Sequence, residues 1–165
     1  MRFLDRIPAE VGDLARDELA VRHLRDYAIA TWSEATGGSR LVAGWYVDAI
    51  ADHLEAVKRF ICGESGGIQR LLVSIVFRSG KSTLTNVAFP SWLWLHDPTV
   101  RILSAAYDGE LSVRDAWTTR TLMGGQTYAR LLGHQQRFRA KEPWTLVGDQ
   151  NVKSYYANDR GGHRL

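Results

Sequence analysis

The stretch Arg70-Leu71-Leu72-Val73-Ser74-Ile75-Val76-Phe77-Arg78-Ser79-Gly80-Lys81-Ser82-Thr83 decides how the chain is read. From Gln69 to Phe77 it is a short run of Leu, Val and Ile with glycine on both sides, the pattern of a strand covered on both faces. It leads directly into Gly80-Lys81-Ser82, the triplet that ends a phosphate-binding loop. Beyond the triplet, Leu84, Val87, Ala88, Trp92 and Leu95 recur as in a helix, and Pro90 is expected to kink it or end its first part. Strand, loop and helix in that order give the triplet its physical meaning. N–H groups at the helix start point at phosphates, the glycine permits close approach, the lysine meets the β- and γ-phosphates, and the hydroxyl ligates Mg²⁺. By composition alone the triplet is expected roughly 0.04 times in a chain like this, so chance is a poor account of it.

Working outward, the segment from Ala9 to Trp32 carries Leu14, Leu19, Leu24, Tyr27, Ala28 and Trp32 at helical spacing and predicts one long or kinked helix. Thr36-Gly37-Gly38-Ser39 reads as a loop. Trp45 to Ile61 is an amphipathic helix with Trp45, Ile50, Leu54, Val57 and Ile61 on one stripe and a stop at Gly63. Downstream, Arg101 to Tyr107 reads as a second buried strand and Asp108 to Met123 as a helix capped by Asp108. Trp144 to Val147 and Lys153 to Ala157 read as strand-like pieces around turns, with Asn158-Asp159-Arg160-Gly161-Gly162 as a hairpin turn. The alternation of strand and helix predicts an α/β fold, a P-loop NTPase-type sheet of parallel strands with flanking helices behind an N-terminal helical segment.

Composition bounds the possibilities. A chain of 165 residues is one domain at most and long enough to bury a core without staples, and a single cysteine, Cys62, excludes a disulfide framework. A charged fraction of 24% and a mean hydropathy of -0.23 exclude a disordered or collagenous chain. The longest apolar runs, Leu71 to Phe77 and Val87 to Leu95, are too short to span a membrane, and no apolar run follows Met1 to form a signal peptide; a reducing cytosol is expected. The net charge of +3 is uneven: residues 126–165 hold 7 basic and 3 acidic side chains. Arg130, Arg137, Arg139, Lys141, Lys153, Arg160 and Arg164, interleaved with Phe138, Trp144, Tyr155 and Tyr156, read either as a phosphate-contacting surface or as a solvated face with ordinary core aromatics. The histidines His23, His53, His96, His134 and His163 show no metal-ligand spacing, and Asp48, Asp52 and Glu55 read as the solvated face of an amphipathic helix.

The loop is a variant, because Ile75 stands where the full phosphate-loop pattern has its first glycine. With Arg78 inside it, the stretch resembles the variant Walker A segment of the large terminase subunit, the ATPase of tailed-phage DNA packaging, where Pro-Pro-Arg-x-Gly-Lys-Ser is usual. The resemblance runs through Phe89-Pro90-Ser91-Trp92, Asp97-Pro98, Ile102 to Tyr107 and the helix with Arg114 and Arg120, takes in Gly44-Trp45-Tyr46 upstream and Asn158 to Arg164 downstream, and covers roughly residues 25–165.

The resemblance implies ATP and Mg²⁺ as ligands, held by Phe77, Arg78, Ser79, Gly80, Lys81, Ser82 and Thr83, with Lys81 on the phosphates, Ser82 on the metal, and Arg78 and Lys81 in catalytic roles. Phe77 is read as a buried strand end or as a cover for adenine or sugar. Val76 and Phe77 replace the family's Pro-Pro. The resemblance divides the chain into an N-terminal helical segment, 1–40, and a partial P-loop ATPase domain, 41–165, with the Walker B acids and the nuclease domain absent, so an incomplete sheet is expected. It implies double-stranded DNA, a portal and a small terminase subunit as partners, a homo-oligomeric ring, no membrane, and the host cytoplasm as location. Nucleotide binding with poor hydrolysis is expected of the chain itself. Two other readings stay open: another nucleic-acid motor such as a helicase-like ATPase, and a non-catalytic DNA- or capsid-interaction remnant of a split gene.

Overall fold

The structure, a computed structural model, describes residues 9–76, 78–148 and 155–165. Six α-helices carry it: α1 (Ala9–Arg22), α2 (Leu24–Thr36), α3 (Trp45–Ile61), α4 (Phe89–His96), α5 (Gly109–Met123) and α6 (Gln126–Arg139). A π-helical segment, Thr83–Ala88, runs straight into α4. The only named strands among the described residues are β1 (Tyr156–Ala157) and β2 (His163–Arg164), an antiparallel hairpin with Tyr156 opposite Arg164.

This corrects the expected α/β fold: the architecture is helices packed on helices, with no parallel P-loop-type sheet among the described residues. The physical reason lies in the apolar runs. Leu71–Val76 forms no strand, and helices cover only one of its faces: Leu71, Val73 and Ile75 pack on the core, while Leu72 is 93% and Val76 75% exposed. That is the period-2 alternation of a half-buried segment, and among the described residues no strand pairs with it. Arg101–Tyr107 does not form a buried strand either. Its Ile102 makes one parallel bridge to Arg164, extended by bonds from Ser104 N–H to the Leu165 carbonyl (2.8 Å) and from Leu165 N–H to that of Ile102 (3.0 Å), and Leu103 and Tyr107 face outward.

The core is built instead from Tyr27, Leu24 and Val21 on α1 and α2, Trp92, Trp94 and Leu95 on α4, Tyr128 and Leu131 on α6, and Trp144 and Tyr156 near the hairpin, so it joins residues on both sides of residue 40. Trp94 meets Trp144 and Tyr156 edge to face, at ring separations of 5.6 and 5.8 Å, an arrangement aromatic quadrupoles favour.

Two local departures have tertiary causes. The helix expected from Ala9 to Trp32 breaks at His23, which is extended (φ -121, ψ 125), because Glu55 of α3 accepts the Leu24 N–H at 2.8 Å and so replaces an intrahelical partner. The break leaves the Val21 carbonyl to accept Trp92 Nε1–H (3.1 Å) and His96 Nε2–H (3.0 Å), tying α1 to α4. Pro90 neither ends nor sharply breaks its helix. The π segment before it widens the coil where the proline ring would strike the preceding turn. Asp108 does cap α5, accepting the Glu110 N–H at 2.9 Å. Gln126–Arg139, for which the sequence carries no expected element, is α6; Glu18 of α1 holds it through His134 Nε2 and Arg139 Nη2, each at 2.8 Å.

The turn from Asn158 to Gly162 is also closed by its own side chain. Asn158 Oδ1 accepts the Gly162 N–H (3.0 Å) and its amide donates to the Pro98 carbonyl (2.7 Å). A Cβ on Gly162 would sit 2.2 Å from that same carbonyl oxygen, so only glycine fits there. The expected strand over Lys153 to Ala157 lies partly outside the described residues; Tyr156 and Ala157 form β1, and Leu146 bridges Asn158.

Candidate functional site

The chain leaves the core-covering segment at Val76 and turns into the following helix through two left-handed residues, Arg78 (φ 63) and Gly80 (φ 79). For Gly80 this conformation is free of strain, whereas for Arg78 it costs about 1–2 kcal/mol, which the surrounding fold must hold in place. The glycine is required twice over. Trp32 of α2 lies against it, so that an added Cβ would stand 2.7 Å from the indole Cη2.

The helix starts at Lys81, with the Leu84 N–H bonded to the Gly80 carbonyl at 3.0 Å. Gly80 is therefore its N-cap, and the N–H groups of Lys81, Ser82 and Thr83 have no acceptor within the helix. A left-handed residue followed by a helical one makes the concave row of N–H groups that suits an anion. The loop encloses a concavity of about 380 Å³ lined by Ile75, Val76 and residues 78–83. Lys81 and Thr83 are half-buried, Arg78 and Ser82 exposed. The Ser79 hydroxyl is buried and has no hydrogen-bond partner among the described residues.

The structure thus gathers Arg78, Ser79, Gly80, Lys81, Ser82 and Thr83 around one concavity, while Phe77 lies outside the described residues. Mg²⁺ takes one or two protein oxygens and otherwise phosphate and water, so the hydroxyl of exposed Ser82 beside this concavity fits the protein's share of such a site. No carboxylate lines it. Among the described residues no group of three or more His, Cys, Asp and Glu is arranged to hold a metal ion by itself.

Trp32 also lines a second concavity of about 690 Å³, with Ile29, Ser33 and residues 38–43. Trp32 therefore touches the loop and faces this hollow at once. Its helical spacing marked it in the sequence as a core residue only, because the loop contact joins positions 48 residues apart.

The basic last quarter is mostly engaged within the protein. Arg130 pairs with Asp17 (3.1 Å), Arg139 with Glu18 and Arg160 with Glu142 (2.6 Å), and Lys141 donates to the His96 carbonyl. Arg164, Trp144 and Tyr156 are buried, and Lys153 lies outside the described residues. Of the carboxylates on α3, Asp48 pairs with Arg25 at 2.6 Å and Glu55 serves α2, so they support the packing rather than forming a cluster. No helix among the described residues is long and apolar enough to cross a membrane.

Fold and loop together define a small, mainly helical domain that presents a basic, hydroxyl-rich turn at the start of a buried helix. Comparison with protein-family models, curated proteins and solved structures finds no match to this chain.

Proposed function

We propose that the chain binds ATP with Mg²⁺ through residues 78–83 and that it is the nucleotide-binding part of a terminase-like large subunit, whose complete motor translocates double-stranded DNA into a procapsid. The observation that carries the reading is the concavity made by left-handed Arg78 and Gly80 at the start of the helix, with Lys81 and Ser82 at its wall. The N–H groups of Lys81, Ser82 and Thr83 receive the β-phosphate oxygens, the Lys81 ammonium neutralises the β- and γ-phosphates, and Arg78 meets the γ-phosphate from the rim. When bound, Mg²⁺ would supply charge neutralisation to the phosphates, and Ser82 is the hydroxyl that would hold it. The base and sugar lie in the hollow that Trp32 lines with Ser39, Arg40 and Leu41.

The reading rests on the loop and not on a surrounding sheet. With no carboxylate in the lining, nothing described there orients an attacking water, so binding without efficient turnover is expected. DNA, the portal, the small terminase subunit and a ring of copies follow from the resemblance of residues 25–165 and belong to the same proposal.

The experiment is equilibrium titration of the chain with a fluorescent, non-hydrolysable ATP analogue in Mg²⁺. Saturable binding that weakens at least about ten-fold in Lys81→Ala is expected, the size of a lost charge-assisted contact. Absence of binding at millimolar nucleotide, or a Lys81→Ala affinity equal to wild type, overturns the reading.

A further inference from the structure

The side chain of Arg164 is fully buried, and the mechanism just proposed does not use it. It extends from β2 to the π segment, where Nη2 donates to the Asn86 carbonyl at 2.6 Å, while Nη1 donates to Thr119 Oγ1 at 2.7 Å. Among the described residues no carboxylate lies within ion-pair distance, and its Nε–H has no partner. A guanidinium taken out of water on such terms is costly, and its two donated bonds are what offset that cost.

What those bonds hold is visible in the helix. Pro90 has no N–H, and the carbonyl four residues before it is that of Asn86. That carbonyl is turned over to Arg164 and to Thr119 Oγ1 (3.1 Å). Asn86 is held a second time through its amide, which donates to Asp115 at 3.1 Å. One residue earlier, Thr85 Oγ1 donates to the Lys81 carbonyl at 3.0 Å. A short chain of bonds therefore runs from the C-terminal hairpin, through Asn86 and Thr85, to the first residue of the helix that bears the loop.

We propose that Arg164 is a positioning residue for the nucleotide loop. By holding the Asn86 carbonyl it keeps the π turn open, and the π turn sets the direction in which Lys81 and Ser82 face the phosphates. The hairpin thereby controls the affinity of a site to which it contributes no contact. This rests on the nucleotide reading above.

The test uses the full chain carrying Arg164→Met, Arg164→Lys or, as a control in α3, which supplies no residue of the clamp, Leu54→Ala. Two quantities are measured: affinity for the same Mg²⁺ and ATP-analogue probe, and amide exchange in peptides over residues 81–90 and 45–61 without nucleotide. Arg164→Met should bind roughly ten-fold more weakly, as loss of an outer supporting bond does elsewhere, with Arg164→Lys in between. Its exchange should rise over 81–90 and stay unchanged over 45–61. Leu54→Ala should lower the melting temperature and leave affinity and exchange over 81–90 intact.

Unchanged affinity in both Arg164 variants, or exchange that rises equally in both regions, overturns the proposal. If Arg164→Met fails to fold, Arg164→Lys, which keeps the charge and one bond, decides on the same readouts. If wild type binds no nucleotide, the reading of the site falls, and exchange over 81–90 still decides whether Arg164 holds the π turn.

Discussion

Replacing Gly80 by alanine tests the loop geometry most directly. The backbone there is left-handed at φ 79, which an L side chain tolerates at about 1–2 kcal/mol. The new Cβ would also stand 2.7 Å from Trp32 Cη2 and 3.0 Å from Cζ2, whereas carbon atoms rest at about 3.5–4.0 Å. Trp32 is half-buried, so the indole edge can retreat, and the backbone term sets most of the loss. A destabilisation of about 2 kcal/mol is expected, or roughly 4–8 °C in Tm for a chain of this size. Thermal unfolding followed by far-UV circular dichroism and tryptophan fluorescence measures it, and titration with the ATP analogue should show binding at least about ten-fold weaker. A Gly80→Ala protein that melts at or above the wild-type temperature would refute the reasoning, because neither the left-handed turn nor the Trp32 contact would then exist.

The opposite sign is expected at Gly133, which lies exposed inside α6 with nothing within 4 Å of an added Cβ: Gly133→Ala should gain about 1 kcal/mol, read as a higher urea midpoint. Tyr27→Phe removes the buried hydroxyl that bonds Ser91 Oγ at 2.7 Å, and should lower that midpoint by about 1 kcal/mol. Acidification should weaken the fold in two limbs, followed by urea midpoints across pH. Burial, with Lys58 second, pushes His96 from 6.5 down to about 4. The unfolded chain therefore takes up the proton first, and the stability His96 contributes above pH 6.5 is lost as pH falls toward 4. His96→Gln, which keeps a donor for the Val21 carbonyl, should flatten that limb; an unaltered slope would exclude His96 as its cause. The His134 hydrogen bond, opposed by burial and aided by Arg22 and Arg139, holds Glu18 at about 2 against an ordinary 4.5. Its contribution is present above pH 4.5 and lost between 4.5 and 2, and Glu18→Gln should remove that lower limb.

Much of this was legible in the sequence wherever the deciding interactions are local. Trp45 to Ile61 is the helix α3, although of its expected stripe only Ile50 and Leu54 are buried while Trp45 and Ile61 are exposed; the Asp108 cap starts α5, and Gly80-Lys81-Ser82 does open a helix. Each depends on residues within a turn or two of one another. The loop concavity was legible for the same reason, since one short stretch supplies every residue that lines it.

Other features rest on contacts between distant positions. A run such as Leu71–Val76 announces extended backbone, but whether it becomes a sheet depends on which strands lie beside it and how many of its faces are covered. Here helices cover one face, and Leu72 and Val76 face solvent. The break at His23 needs Glu55, and the Asn86 carbonyl needs Arg164 across 78 residues of sequence. The sequence by itself therefore determined the helices over Trp45–Ile61 and Gly109–Met123, the Asp108 cap and the glycine-led turn into the helix at Lys81, because propensity and hydrogen bonding act between near neighbours. Only the tertiary structure decided that the apolar runs serve a helical core, that Trp32 lies against Gly80 and that Arg164 bonds the Asn86 carbonyl, because burial is a property of the assembled chain.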